Sequence, residues 1–143
     1  MRIRSLNHSV YQVLYHIVWR TKYRRKLIKY YVRKELIKSF YVSQAKNPTW
    51  FFHEINTDND HVHILMEFPP TYAISDVVRE LKARSSFHLR KSFKFIDRAY
   101  GSSGVWGVGY FVSTVGLNEK IIKKYIWMQD ISTLSLDISS EFE

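Results

Sequence analysis

The stretch Thr57–Pro70, TDNDHVHILMEFPP, sets two imidazoles two residues apart inside an otherwise apolar run. The apolar residues from Val62 to Phe68 argue for a strand, and Pro69-Pro70 stops it, because proline cannot donate to a ladder. A strand sends successive side chains to opposite faces. His61 and His63 therefore point one way, and Val62, Ile64, Met66 and Phe68 the other. The preceding TWFFHEINT reads as a partner strand, joined through a tight hairpin turn at Asp58-Asn59. A two-residue turn there pairs Thr57 with Asp60, Asn56 with His61 and Glu54 with His63. Glu54, Asn56, His61 and His63 then share a polar face, with Phe51 and Ile55 on the apolar core side.

Upstream, VYQVLYHIVW (Val10 to Trp19) is β-branched and aromatic without a breaker, a first strand that carries His16. RTKYRRK follows, with five basic residues in seven positions. From Arg24 to Asn47, Ile28, Val32, Leu36 and Phe40 recur at steps of four, an amphipathic helix that Asn47-Pro48 ends. Downstream, Ile74, Val77, Val78 and Leu81 mark one face of a second helix, which Ser75 or Asp76 could cap. GSSGVWGVG leads into YFVSTV, a fourth strand; Gly116 breaks it, Asn118 can cap, and NEKIIKKYIWMQD forms a short third helix. The order strand–helix–strand–strand–helix–strand, plus a final helix, predicts a ferredoxin-like α+β sandwich, in which the His16 strand lies beside the His61 strand. One domain is expected over residues 1–143, with its core at about 10–130 and an acidic, Ser-rich tail over 131–143.

Twenty-two Lys and Arg against 13 Asp and Glu give a formal charge of +9, a surplus that suits a polyanionic partner such as nucleic acid. The absence of cysteine excludes disulfides and thiolate metal sites. Asn7, His8, Gln12 and His16 interrupt the apolar patch near the start. It reads neither as a signal segment nor as a membrane span, and the expectation is a soluble, intracellular protein.

Taken alone, His-x-His in a strand reads first as surface or hydrogen-bonded core histidines and only second as two ligands of a divalent cation. Tyr125 and Gln129 stand four apart on a helix, hence on one face, where they could present a nucleophile and a third ligand. Alone, that helix is equally an ordinary amphipathic one with Tyr125 half-buried.

The segments YHIVWRTKYRRK, DHVHIL, LKARSS, GYFVSTVG and YIWMQ, in that order, resemble a known family. They are similar to the single-tyrosine transposases of the His-hydrophobe-His superfamily, the small transposase of the insertion sequence 200/605 group. The resemblance runs from about Tyr11 to Gln129. It departs at Ala83, where the family has glycine, and in the acidic tail, which has no counterpart.

The resemblance implies that His61, His63 and Gln129 bind a catalytic Mg²⁺ or Mn²⁺. It makes Tyr125 the nucleophile on single-stranded DNA with subterminal hairpins. It further implies a homodimer in which the Tyr125 helix of one subunit completes the site of the other, hinged at Gly116 and Asn118. Asp60 and Glu54 are candidates for orienting the imidazoles. His16 could assist but reads better as a satisfied core histidine, and His8, His53 and His88 have no expected role.

Phosphate contacts would come from Arg20, Lys22, Arg24, Arg25 and Lys26, from Lys82 and Arg84, and from Lys120, Lys123 and Lys124. The cellular setting expected is the prokaryotic cytoplasm, in association with the nucleoid. Two alternatives share the sequence features: a domesticated relative acting on repeat palindromes, and a ferredoxin-like single-strand binder that does not cut.

Overall fold

A computed structural model describes residues 4–6, 9–11 and 13–115 of the 143. The strands are β1 (Arg4–Leu6), β2 (Ser9–Tyr11), β3 (Leu14–Arg20), β4 (Phe51–Asp58), β5 (His61–Glu67) and β6 (Phe111–Val115). The helices are α1 (Tyr30–Lys46), α2 (Ile74–Ser92) and α3 (Lys94–Tyr100). β1 and β2 form a separate antiparallel pair, while the main sheet has the order β4-β5-β3-β6 with every neighbour antiparallel. Two interleaved β-α-β crossovers produce that order, which is the expected ferredoxin-like arrangement.

The alternation read from the sequence governs the packing. Ile17 and Trp19 of β3 and Val62, Ile64 and Met66 of β5 are buried in one cluster with Val32, Leu36 and Phe40 of α1 and Val77, Val78, Leu81 and Leu89 of α2. Edge-on aromatic contacts lock its centre: Trp19 meets Phe40 at 6.0 Å and Trp106 at 5.9 Å between ring centroids. The indole of Trp106 donates to Ser85 Oγ (2.8 Å), which ties the glycine-rich segment to α2.

Several expectations need correction. The hairpin closes one residue later than predicted, pairing Asp58 with His61, Thr57 with Val62 and Asn56 with His63. Asn59 and Asp60 form its turn because tertiary bonds claim them: Thr21 N–H donates to Asp60 O (2.9 Å) and Ile28 N–H to Asn59 O (2.8 Å). The pairing slides by two residues, an even number, so the predicted faces survive. A bulge between Phe52 and Glu54 reverses the face below it. Phe52 rather than Phe51 is buried in the core, against Phe40, and Phe51 pairs with Glu67.

The first strand is divided, β2 ending at Tyr11 and β3 starting at Leu14. The first helix starts at Tyr30 rather than Arg24. Ile28 keeps the apolar spacing and is buried, but in non-helical chain pinned to the turn. Helix α2 buries Val77, Val78 and Leu81 of its predicted face, with Ala73 at the cap position instead of Ser75 or Asp76 and no side-chain cap bond. Helix α3 was not anticipated. The predicted third helix lies outside the described residues.

Phe40 and Tyr41 make a direct test of this packing, since Phe40 is fully buried and Tyr41 is 48% exposed. In urea unfolding, Phe40→Ala is expected to cost about 3–5 kcal/mol and Tyr41→Ala under about 1 kcal/mol. Equal losses would place α1 in a different rotation on the sheet.

Candidate functional site

The sheet face turned away from the helix-packed core carries the polar residues in cross-strand rows. Asp58, His61 and Arg20 form the first row and Asn56, His63 and Val18 the second. Glu54, Leu65, His16 and Ser113 form the third. His61 and His63 thus sit two residues apart on the middle strand β5, flanked by residues of β4 and β3, as the alternation predicted.

Each imidazole is held differently. His61 is largely buried, and its Nδ1 donates to Asp60 Oδ1 at 2.5 Å, since an ionised carboxylate can only accept. That bond fixes the tautomer and leaves Nε2, 3.8 Å from Asp58 Oδ2, as the nitrogen with a lone pair to offer. His63 Nδ1 is buried without a hydrogen-bond partner among the described residues, as are both nitrogens of His16, Glu54 Oε2 and Ser113 Oγ. The His16 and His63 rings meet edge-on at 6.1 Å.

Burial pushes the His16 pKa down to about 3, helped by His63, and the His63 pKa down to about 4, helped by His61 and opposed by Asp58. Both are therefore neutral at physiological pH, the form that ligates metal. His16 was expected to be a satisfied core histidine; it is buried on the sheet face away from the core, and neither of its nitrogens has a hydrogen-bond partner among the described residues.

A buried imidazole nitrogen with no partner, beside a second imidazole whose other nitrogen is tied back to a carboxylate, is the donor set a divalent cation suits. Among the described residues no three His, Asp or Glu side chains converge into a full cage. Tyr125, Gln129, Lys120, Lys123, Lys124, Gly116 and Asn118 lie outside the described residues.

The basic residues fall into two groups. Arg24, Arg25 and Lys26 are exposed on the segment that crosses the hairpin turn. Lys22 Nζ donates to Ser103 O (2.9 Å), and Arg25 donates to Ala99 O (3.1 Å) while lying over the Tyr23 and Tyr100 rings. Arg20 stands opposite His61. On α2, Lys82 Nζ donates to the carbonyls of Gly107 and Gly109, and burial lowers its pKa. Arg84 is bound to Glu80 (2.8 Å). These two cations brace the fold. His53 approaches Glu67 (3.6 Å) and His88 approaches Glu35 (3.2 Å), neither near the His61 row.

Asp58 is the residue sequence reasoning missed. It was assigned to the turn, and only the true register sets it across from His61. The consecutive Asp58-Asn59-Asp60 signals a turn without saying which pair forms it.

The family described as "Transposase IS200 like" matches residues 9–129. The transposase for insertion sequence element IS200 of Salmonella typhimurium is 32% identical over 123 residues, covering 86% of this chain and 80% of that protein. The ISDra2 transposase TnpA of Deinococcus radiodurans is 30% identical over 121 residues, covering 84% and 86%. A crystal structure of a protein from Deinococcus radiodurans, designated a transposase, superposes with a TM-score of 0.70 at 24% identity, covering 87% of this chain and 95% of that one. A REP-associated tyrosine transposase bound to a REP hairpin has the same fold, with a TM-score of 0.56 at 15% identity over 80% and 62% of the chains.

The depressed imidazole pKa values give stability a pH dependence. Between about pH 6.5 and pH 3 the unfolded chain binds protons at His16 and His63 that the folded chain refuses, so stability is full above pH 6.5 and falls as pH drops. Unfolding free energies from urea titrations in chelator are expected to stay level from pH 7.5 to about pH 6.5 and then to fall by a few kcal/mol down to pH 4.5, and His16→Leu is expected to flatten part of that slope. An unchanged slope in His16→Leu would show that His16 is not buried as a neutral ring.

Proposed function

The chain belongs to the IS200-like transposase family, and from that premise we propose that it cuts and rejoins single-stranded DNA through Tyr125 at a metal site built on His61 and His63. The observation that supports this reading is the arrangement on β5: one imidazole tied back by Asp60, the next with a buried nitrogen that has no partner among the described residues. A module that only bound nucleic acid would need the basic surface and would gain nothing from that unmet nitrogen, which costs on the order of 1–3 kcal/mol.

In this proposal Tyr125 Oη attacks a phosphodiester of a single strand. The tyrosyl O–P bond forms as the P–O3′ bond breaks, the phenol loses a proton and the departing 3′ oxygen gains one. The product is a 5′-phosphotyrosine link and a free 3′-hydroxyl. Because the phosphodiester energy is kept in that link, a 3′-hydroxyl on a new strand reverses the step without a nucleotide cofactor. Mg²⁺ or Mn²⁺ held by His61, His63 and Gln129 would polarise the scissile phosphate and offset its developing charge.

Asp60 orients His61 and keeps its Nδ1 protonated, so that Nε2 is presented to the cation. The neutral state of His63 at physiological pH removes any need to shed a proton before ligation. Arg20, opposite His61, and the exposed Arg24, Arg25 and Lys26 supply positive potential beside the site. The working unit is a homodimer whose Tyr125 helices complete each other's sites, and the substrates are strands with hairpin ends.

The test uses the full chain, Mn²⁺ and end-labelled single strands carrying palindromes from the element's ends. An SDS-resistant protein–DNA adduct is expected with wild type, and none with Tyr125→Phe, with chelator or with duplex. His61→Ala is expected to lose at least about 100-fold of the rate and Asp60→Asn about 10–100-fold. An adduct that survives Tyr125→Phe moves the nucleophile to another residue.

A further inference from the structure

The helical layer carries an exposed aromatic cluster that the proposed chemistry does not use. Tyr31 of α1 meets Phe93 at 5.8 Å and Phe95 at 6.4 Å between ring centroids, and Phe93 meets Phe95 at 5.9 Å. Phe93 packs against the core, but Tyr31 is 54% exposed and Phe95 41%. Core packing explains the first ring and not the other two.

Charge identifies what such a surface fits. Residues 20–34 carry eight Lys or Arg and no Asp or Glu. The rings are interleaved with cations along the chain: Lys29, Tyr30, Tyr31 on one side, and Phe93, Lys94, Phe95 on the other. Lys29 and Lys94 are exposed. The nearby carboxylates are already matched, Glu35 by Lys38 (3.0 Å) and Asp97 by Arg90 (3.2 Å). Exposed rings among unmatched positive charge are how proteins hold single-stranded nucleic acid, with bases on the rings and phosphates on the cations.

Location links the cluster to the histidines. The Asn59-Asp60 turn, which leads directly into His61, accepts backbone bonds from Ile28 and Thr21. The basic segment therefore runs from beside His61 to the start of α1, and Tyr31 follows Ile28 by three residues.

We propose that Tyr31 and Phe95, backed by Phe93 and flanked by Lys29 and Lys94, are a stacking platform for bases of the single-stranded arm that leaves the His61–His63 site across the turn. This rests on the single-strand reading above, and binding can be separated from cutting. Full-length protein in chelator is titrated into a fluorescent oligo-dT 20-mer and followed by anisotropy. The double variant Tyr31→Ala/Phe95→Ala is expected to weaken binding by about 5–100-fold, the range for loss of one stacked base, while Tyr31→Phe/Phe95→Trp holds the wild-type affinity. Lys29→Gln/Lys94→Gln, a surface change that spares the rings, is expected to reduce the slope of log affinity against log salt by about 1.4.

A double-alanine variant with wild-type melting and wild-type dT affinity overturns the proposal, and so does an unchanged salt slope in the lysine variant. A double-alanine variant that alters the sedimenting species without altering dT affinity assigns the face to a second copy, which also overturns it. Binding through the platform by a chain that forms no adduct sinks the cutting reaction alone. Adduct formation with undiminished binding in the alanine variant sinks the platform alone.

Discussion

Parity along β5 is the constraint on which the molecule depends. Val62, Ile64 and Met66 are fully buried against the helices, and their alternation with His61, His63 and Leu65 leaves no freedom in where the imidazoles go. A slip of one residue would eject three core side chains at roughly 1.5–3 kcal/mol each, a sum comparable to the whole stability of a domain. The hydrophobic face therefore enforces the geometry of the polar face. Because β5 is an inner strand, bonded to β3 and β4, both neighbours extend the same rule and bring Arg20, Asn56 and Asp58 alongside the histidines.

The two faces differ in how their polar groups are grouped. On the helix side, Ser85 Oγ and Trp106 Nε1 find each other, while the Trp19 and Trp50 indole nitrogens are buried singly among apolar side chains without a hydrogen-bond partner among the described residues. On the other side, nitrogens of His16 and His63 and oxygens of Glu54 and Ser113 are buried without partners among the described residues. Unmet polar groups are rare in folded proteins, and a cluster of them on adjacent strands marks a place shaped by something other than stability. The depressed imidazole pKa values are the same fact in electrostatic form: the site refuses protons and keeps its lone pairs.

The fold class and the histidine face were legible because both rest on periodicity, which survives errors of even length. The turn was placed one residue early, yet the pairing moved by two and every predicted face above the bulge held. What stayed hidden was set by contacts distant in sequence. Which two of Asp58, Asn59 and Asp60 make the turn is decided by Thr21 and Ile28, and Phe51 lost its core position to a bulge that no residue type announces. Ile28 continued the helical spacing because burial demands an apolar residue there whether or not the chain is helical. Helix α3 is seven residues long, too short for a period to show. Asp58 was misread for the same reason as the turn, so the face shared by the histidines was legible and the carboxylate facing His61 was not.

The basic segment shows the same priority of position over local preference. Tyr23 and Arg24 hold φ of 61° and 54°, a left-handed conformation that non-glycine residues avoid at a cost on the order of 1 kcal/mol or more each. The strain is held in place by Lys22 N–H donating to Val105 O (2.8 Å), Arg24 N–H to Thr21 O (3.0 Å) and Tyr100 Oη to Lys22 O (3.0 Å). A helix beginning at Arg24, which the apolar spacing alone would favour, would have wound the cations around a cylinder and spread their charge over several directions. The strained turn instead lays residues 25–29 as non-helical chain, with tight turns closed by Leu27 N–H on Arg25 O and Lys29 N–H on Leu27 O (2.9 Å each), against the Asn59-Asp60 turn that precedes His61. Arg24, Arg25, Lys26 and Lys29 are thereby exposed on one short segment beside that turn, while Leu27 and Ile28 between them are buried.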